Sequence, residues 1–284
     1  MVIRLSAVLL FLLGAWVAYT QNNAKQPPQL TLNKIKDDLY EIEGDGGNVA
    51  VYITNEGVIL VDDKFEPDFD QIVARVKSVT TQPIRYILST HYHADHSGGN
   101  TRFSSVAEII STVNAHNNIV NKVQSNAPGN MIAARVTYTE EERLFLGGKE
   151  VIAHHFGRGH TNGDAMVYFP ALRVLHTGDM FTAATPLIDF PGGGSLVEWP
   201  RSIDAAMKYW DFDTVIPGHG AVTNKAALMT YRNNAETMAN NLRAQIRAGK
   251  SEADVKQYAM DQYKWAANSL NIQWGFPGLM NELK

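Results

Sequence analysis

The stretch His91-Tyr92-His93-Ala94-Asp95-His96 places four metal-ligand side chains within six consecutive positions. Three imidazoles and a carboxylate this close together favour a cation among them, because otherwise they would repel one another or lack partners. One tetrahedral zinc ion cannot easily use all four side chains, whereas two adjacent ions can. The stretch therefore predicts a metal site, provided that further ligands follow downstream.

The residues on either side place this stretch on a loop. Tyr86-Ile87-Leu88 is typical of a buried strand, and Ser97-Gly98-Gly99-Asn100 is typical of a turn. Loops at the carboxyl ends of strands are where α/β proteins usually carry their chemistry. We therefore expect the four side chains to lie at the end of a buried strand.

Three further candidate ligands occupy similar settings downstream. His160, Asp179 and His219 each follow a short apolar segment, and each has a glycine immediately before it. Glycine lets the backbone approach a metal without a clash from a Cβ atom. The repeated pattern predicts a strand, a tight turn and then a ligand.

In this order the motifs resemble those of the metallo-β-lactamase-fold hydrolases, from about Leu39 to Gly220. The resemblance implies an α/β fold, the four-layered αββα sandwich, built from two sheet-plus-helix halves with the site at their junction. It rests on five short motifs, which are Val61-Asp62, the His-x-His-x-Asp-His run, Gly159-His160-Thr161, Thr177-Gly178-Asp179 and Pro217-Gly218-His219-Gly220.

The resemblance also implies a ligand set for two metals. We expect two Zn²⁺ per chain, with iron or manganese as alternatives, because imidazole-rich sites suit several metals. The implied ligands are His91, His93 and His160 for the first metal, Asp95, His96 and His219 for the second, and Asp179 as the bridging carboxylate of the glyoxalase-II-like branch.

Two adjacent cations explain the expected chemistry. They lower the pKa of a shared water, so that a bridging hydroxide attacks the carbonyl carbon of a small ester, lactone, thioester or β-lactam. Asp95 is the candidate catalytic residue, because it can orient the hydroxide and then carry a proton. Asp62, at a strand end, is expected to support a ligand imidazole.

The sequence allows three hypotheses about the activity, and the first is the hydrolase described above. The chain has no cysteine, and Asp179 differs from both dedicated antibiotic-degrading groups of the family, which weakens a β-lactamase assignment without removing it. The alternative is an oxidoreductase similar to persulfide dioxygenases, with a single iron at His91, His160 and Asp179. The third reading, a metal-free binding protein, disagrees with the complete ligand set.

Composition limits the class of protein. The chain has 284 residues, of which 45% are hydrophobic and 19% charged, as in a globular protein with a substantial core. The net charge of −4 and the lack of a long basic run argue against a nucleic-acid partner. We therefore expect a small-molecule substrate, and the sequence leaves the oligomeric state open.

The N-terminus differs from the rest of the chain. Arg4 precedes an apolar run from Leu5 to Tyr19, which is short for a membrane span but typical of a signal peptide. We expect residues 1–25 to be a signal peptide or an N-terminal anchor, with membrane association only if the segment is uncleaved. An exported protein, periplasmic or secreted, is also consistent with the absence of cysteine.

The rest of the chain divides into two predicted parts. Residues 26–223 form the metallo-β-lactamase-fold domain, and residues 224–284 form a C-terminal helical extension packed on it. In this extension Gly249 is expected to end one helix, and Ser251 with Asp254 to begin the next.

Three further segments carry predictions. The loop from Phe65 to Phe69 is a candidate rim of the site, and the glycine-rich stretch from Thr185 to Ser195 is a candidate lid. The apolar tail Trp274-Gly275-Phe276-Pro277 is expected to dock on the body of the protein. A strand from Glu150 to Phe156 would place His154 and His155 on opposite faces.

Overall fold

The structure is a computed structural model that describes residues 28–124 and 130–284. The expected signal peptide or anchor, residues 1–25, lies outside the described residues. Two sheets form the centre of the fold. The strands of the first sheet, in their spatial order, are β1 Thr31–Lys36, β2 Leu39–Glu43, β3 Val49–Ile53, β4 Val58–Val61, β5 Ile84–Leu88, β6 Glu108–Thr112 and β7 Val136–Tyr138.

The second sheet contains the next six strands of the chain. Its strands run in the spatial order β13-β12-β11-β10-β9-β8. Their bounds are β8 Glu141–Leu146, β9 Lys149–His154, β10 Met166–Phe169, β11 Val174–His176, β12 Thr214–Ile216 and β13 Thr223–Asn224.

Parallel pairing within each sheet positions the site. Strands β4 to β7 pair in parallel in the first sheet, and β11 pairs in parallel with β12 in the second. The carboxyl ends of parallel strands meet at one edge, so the loops that follow them converge there. The loops after β5, β11 and β12 begin at this edge.

Helices cover the outer face of each sheet. Beside the first sheet lie α1 Phe69–Lys77, α2 Ala94–Ser97, α3 Asn100–Phe103 and α4 Val113–Val120. Beside the second lie α5 Trp199–Tyr209, α6 Lys225–Arg247, α7 Glu252–Tyr263 and α8 Phe276–Glu282, the last preceded by a π-helical turn, Asn271–Gly275.

Three hydrophobic cores show the order of the layers. In β4, Ile59 and Val61 are buried in the core between the sheets, whereas Val58 and Leu60 are buried in the core under α1. This alternation is what a strand buried on both faces requires. A third core joins the outer face of the second sheet to α5 and to the C-terminal helices. The predicted four-layered αββα sandwich is therefore confirmed.

The C-terminal helices begin and end at the predicted signals. Gly249 has φ +74° just after α6, a left-handed conformation that glycine adopts readily. The Ser251 side chain accepts a hydrogen bond from the Asp254 amide, and the Asp254 carboxylate accepts one from the Ser251 amide. The boundary at 223/224 between domain and extension stays a prediction.

One strand is shorter than the sequence predicts. Strand β9 ends at His154, so the prediction that His155 lies on the same strand is wrong. Helix α4 begins at Val113, and the Thr112 side chain caps it by accepting a hydrogen bond from the Ala115 amide. Within the described residues, no helix has both the length and the apolar character needed to span a membrane.

Candidate metal centre

The loop after β5 brings two histidines beside a third from the second half. His93 Nδ1 lies 3.2 Å from His91 Nε2 and 2.9 Å from His160 Nε2. All three side chains are buried. This first cluster contains the three residues that the resemblance assigns to the first metal.

The ring nitrogens that point away from the first cluster all have partners. His91 Nδ1 lies 3.1 Å from the Thr90 hydroxyl, His93 Nε2 lies 2.9 Å from Asp189 Oδ2, and His160 Nδ1 lies 2.6 Å from the Leu187 carbonyl. An imidazole that donates through one nitrogen presents a lone pair on the other. Three lone pairs therefore converge at about 3 Å, and a cation between them resolves their repulsion.

The second cluster consists of Asp95, His96 and His219. His219 Nε2 lies 3.2 Å from His96 Nε2 and 3.2 Å from Asp95 Oδ2. These residues offer one ligand atom each within 4.8 Å of one another, as the residues of the first cluster do. The second cluster is more open, since the side chains of Asp95 and His219 are 26% and 36% exposed.

Asp179 lies between the two clusters. Its Oδ1 is 3.2 Å from His96 Nε2 and 3.4 Å from His219 Nε2, whereas its Oδ2 is 3.6 Å from His160 Nε2. Oδ1 is buried without a hydrogen-bond partner among the described residues. Each carboxylate oxygen thus faces a different cluster, and the donor set of five imidazoles and two carboxylates fits two divalent cations.

Asp62 supports His96, as expected from its position at the end of a strand. Its Oδ2 lies 2.8 Å from His96 Nδ1, and its carboxylate also accepts hydrogen bonds from the Thr90 amide at 2.7 Å and the Thr90 hydroxyl at 2.8 Å. The contact fixes the His96 ring with Nε2 towards the second cluster. Since Thr90 also contacts His91, one hydrogen-bonded chain connects the two clusters.

Asp189 is a supporting residue that sequence reasoning missed. Besides His93, its carboxylate accepts hydrogen bonds from the Tyr92 hydroxyl and, at 3.0 Å, from the Gly192 amide. It lies in the stretch that was predicted as a lid. The only signal in the sequence is an acidic residue between Ile188 and Phe190, a pattern that suits a buried, partnered carboxylate.

The two clusters differ in their protonation. Burial, and then the neighbouring imidazoles, lower the pKa of His91 well below its usual value and that of His160 to about 4. Burial also acts to lower the pKa of His96 and His219, but the carboxylates beside them outweigh it. The pKa of His96 is raised, and that of His219 is raised to about 9.

The carboxylates show the reciprocal effect. Burial alone would raise the pKa of Asp95, but the charges of His96 and the hydrogen bond from His219 lower it to about 2. Burial would likewise raise the pKa of Asp179, but the charges of His96 and His219 lower it well below its usual value. Without metal, the second cluster is therefore a set of ion pairs, whereas His91 and His160 of the first are neutral.

Two glycines let the backbone touch this centre. A Cβ atom at Gly47 would lie 2.1 Å from His96 Cε1, and one at Gly218 would lie 2.0 Å from Asp179 Oδ1. Neither distance leaves room for a side chain. Backbone therefore forms the wall of the centre on this side.

A cleft of about 530 Å³ opens over the two clusters. His93, Asp95, Asp179 and His219 form part of its lining. The predicted rim contributes Phe65, and residues after Asp179 contribute a second side of the cleft. The remaining lining residues are Gln124, Thr182, Ala184, Thr185, Leu187, Leu270, Asn271 and Trp274.

Asp164, His116 and His176 each contact a backbone group outside the two clusters. Asp164 accepts a hydrogen bond from the Thr161 amide at 2.9 Å and closes the turn after His160. His176 Nε2 lies 3.0 Å from the Asn48 carbonyl, and His116 Nδ1 lies 2.7 Å from the Ala134 carbonyl. None of the three belongs to a group of described residues that could hold a metal ion.

Comparison with known proteins adds independent evidence. The sequence model of the metallo-beta-lactamase superfamily matches residues 42–219, more than half of the chain. The chain is 23% identical over 215 residues to a metallo-beta-lactamase type 2 of Elizabethkingia meningoseptica, covering 72% of this chain and 84% of that protein. It is 25% identical over 176 residues to metallo-beta-lactamase IND-1 of Chryseobacterium indologenes, covering 61% and 71%.

Solved structures share the fold. The DIM-1 metallo-beta-lactamase superposes with a TM-score of 0.65 at 22% identity, covering 75% of this chain and 99% of that one. A metallo-beta-lactamase from Pontibacter korlensis superposes with a TM-score of 0.63 at 21% identity, covering 72% and 100%. Together with the match to residues 42–219, this shows that the chain belongs to the metallo-beta-lactamase superfamily of metal-dependent hydrolases.

Proposed function

We propose that this metal-dependent hydrolase is a dinuclear zinc enzyme that cleaves a small ester, lactone, thioester or β-lactam. One observation carries the proposal, which is the position of Asp179 between two complete ligand clusters. Its Oδ1 faces His96 and its Oδ2 faces His160. The proposed ligands are those expected from the sequence, namely His91, His93 and His160, Asp95, His96 and His219, and Asp179 between them.

Two bound cations would supply Lewis acidity at this centre and would lower the pKa of a water bound there. The residues of the chain then provide position and proton transfer. Asp95 is the proposed catalytic residue, because it lines the cleft and is partly exposed, so its free oxygen can accept a proton and return it to the leaving group. Asp62 and Asp189 hold two ligand rings in the tautomers that this arrangement needs.

The relatives bear on the substrate. The proteins reported above carry the name metallo-beta-lactamase, which supports a β-lactam as one candidate. The carboxylate at Asp179 supports an ester, lactone or thioester instead, because it matches the bridging carboxylate of the glyoxalase-II-like branch. The alternative of a mononuclear iron oxidoreductase is not favoured, because it leaves Asp95, His96 and His219 without a role.

We also propose that the chain acts outside the cytoplasm. The apolar run from Leu5 to Tyr19 and the absence of cysteine support this location. Secretion of an activity that depends on residues 1–25 would test it, since a variant lacking them should stay in the cytoplasm. Retention of the full-length protein in the cytoplasm would contradict it.

Metal analysis combined with a substrate panel tests the proposed activity. We expect about two zinc ions per chain, and hydrolysis of a member of a panel of lactones, esters, thioesters and a chromogenic cephalosporin. Chelation should remove the activity, and added zinc should restore it. His116→Ala is a matched control, because His116 lies outside both clusters. One iron per chain with oxygen uptake on a persulfide would favour the alternative instead.

A further inference from the structure

The C-terminal segment forms part of the cleft, although it lies beyond the residues that the superfamily model matches. That match ends at residue 219, whereas Leu270, Asn271 and Trp274 line the cleft. The Trp274 ring lies 5.5 Å from the His93 ring, centroid to centroid. The segment therefore adds to the metal centre a wall formed by residues outside the matched range.

This wall is fixed to the body of the protein. Asn271 Nδ2 donates to the Pro186 carbonyl at 2.9 Å, and Trp265 Nε1 donates to Thr185 Oγ1 at 3.2 Å. Ile272 and Phe276, on either side of Trp274, are buried in the core of the second half. The indole is thus held over the centre by a packed segment, and the loop that supplies Asp189 is held with it.

The lining beside the metal ligands combines four large apolar side chains with uncharged polar ones. Phe65 and Leu187 line the cleft with Leu270 and Trp274, and Leu270 is 40% exposed. No lysine or arginine is among the lining residues that the structure describes. Residues 125–129, next to the lining residue Gln124, contain none in their sequence either. A second anionic group on a substrate would find no side-chain cation to pair with in this lining.

We propose that Trp274 is a specificity-determining residue that selects uncharged esters, lactones or thioesters with an apolar acyl chain. The inference rests on the proposed hydrolase function and narrows its substrate class. An acyl chain beside the scissile carbonyl would lie against the indole and Leu270 and lose its contact with water. Each methylene buried there is expected to raise kcat/KM about fourfold. A substrate with a free carboxylate, as in most β-lactams, gains nothing from this wall.

A series of uncharged p-nitrophenyl esters, from acetate to octanoate, tests the inference on the zinc-loaded enzyme. We expect kcat/KM to rise with chain length in the wild type and this rise to be largely lost in Trp274→Ala, through KM and not kcat. Trp274→Phe should keep most of it. Gln273→Ala is the control, since Gln273 is exposed on the same turn and does not line the cleft. A matched ester with a terminal carboxylate should be hydrolysed at least tenfold less efficiently.

A binding measurement separates this inference from the proposed function. Binding of an uncharged alkyl phenyl ketone, which is not hydrolysed, measured by isothermal titration calorimetry, should be strong in the wild type and weak in Trp274→Ala. Zinc content should be equal in both. Equal chain-length dependence, or equal ketone binding, in the wild type and Trp274→Ala overturns the inference. Failure of the wild type to hydrolyse any ester, lactone, thioester or β-lactam overturns the proposed function, and ketone binding still decides the role of Trp274.

Discussion

The two ligand clusters are built from the same kinds of side chain but differ in burial and charge. The first cluster is buried, consists of imidazoles alone, and has each outer ring nitrogen held by a neighbour. The second is partly exposed and contains a carboxylate beside two imidazoles of raised pKa. The difference indicates that the first cluster is ready to take a metal, whereas the second must first lose protons.

Removal of one ligand from each cluster is expected to have the largest effect. His160→Ala should lose the first metal. Loss of a residue that only supports a ligand costs up to about 100-fold, so loss of the ligand itself should reduce kcat/KM by more than that. His219→Ala should lose only the second metal and retain more activity. Zinc content and kinetics of the two variants, with circular dichroism to check the fold, measure this. Equal loss of both metals in both variants would contradict independent clusters.

Asp95→Asn tests whether the second cluster contributes a proton carrier as well as a ligand. The amide keeps the shape and a ligand oxygen but cannot accept a proton, so we expect kcat to fall by about 10²–10⁴-fold. Zinc content should fall much less than in His219→Ala. The pH profile of kcat for the two variants distinguishes the roles, and a merely structural role would leave the shape of the profile unchanged.

Supporting carboxylates should act on one cluster each. Asp62 contacts a ligand of the second cluster and Asp189 a ligand of the first. Asp62→Asn should weaken the second zinc and Asp189→Asn the first, each by about 10–100-fold. Competition with a chromophoric chelator measures both affinities. The opposite assignment, or no change in either variant, would show that these contacts do not tune the metals.

The smallest expected difference between the clusters is in the number of protons that zinc binding releases. Because the pKa of His219 is raised to about 9, it is protonated near neutrality in the metal-free protein, and zinc must displace that proton. The affinity of the second zinc should therefore fall as pH falls below 9, up to about tenfold per pH unit for each proton displaced. The pKa of His160 is lowered to about 4, so this side chain adds no such dependence above pH 6. Calorimetry in buffers of different ionisation enthalpy counts the protons.

The sequence predicted the central part of this architecture because its signals are local. Buried strands such as β4 are continuous apolar runs, and the ligand motifs directly follow strands, so both can be recognised from the sequence alone. Strand β1 was missed because its residues, Thr31 to Lys36, are mostly polar and half-exposed, without an apolar run. Strand β8 was missed because charged residues, such as Glu141 and Arg143, interrupt its apolar pattern.

Two features of the site depended on contacts that no local pattern encodes. Asp189 lies 96 positions from His93 along the chain and reaches it only after the halves pack together. Trp274 was predicted only to dock, and its place over the cleft follows from the path of the C-terminal helices. Both belong to segments without a regular period, in which tertiary contacts decide the conformation.

Gly47 and Gly218 have a consequence for how this protein can diverge in evolution. Since any side chain at either position would displace His96 or Asp179, substitutions there cannot retune the reaction and can only destroy it. We expect heritable change in substrate preference to act instead through side chains that line the cleft, such as Phe65, Leu187 and Trp274. Descendants of this chain should therefore keep the same metal-facing glycines while exchanging the compounds they degrade.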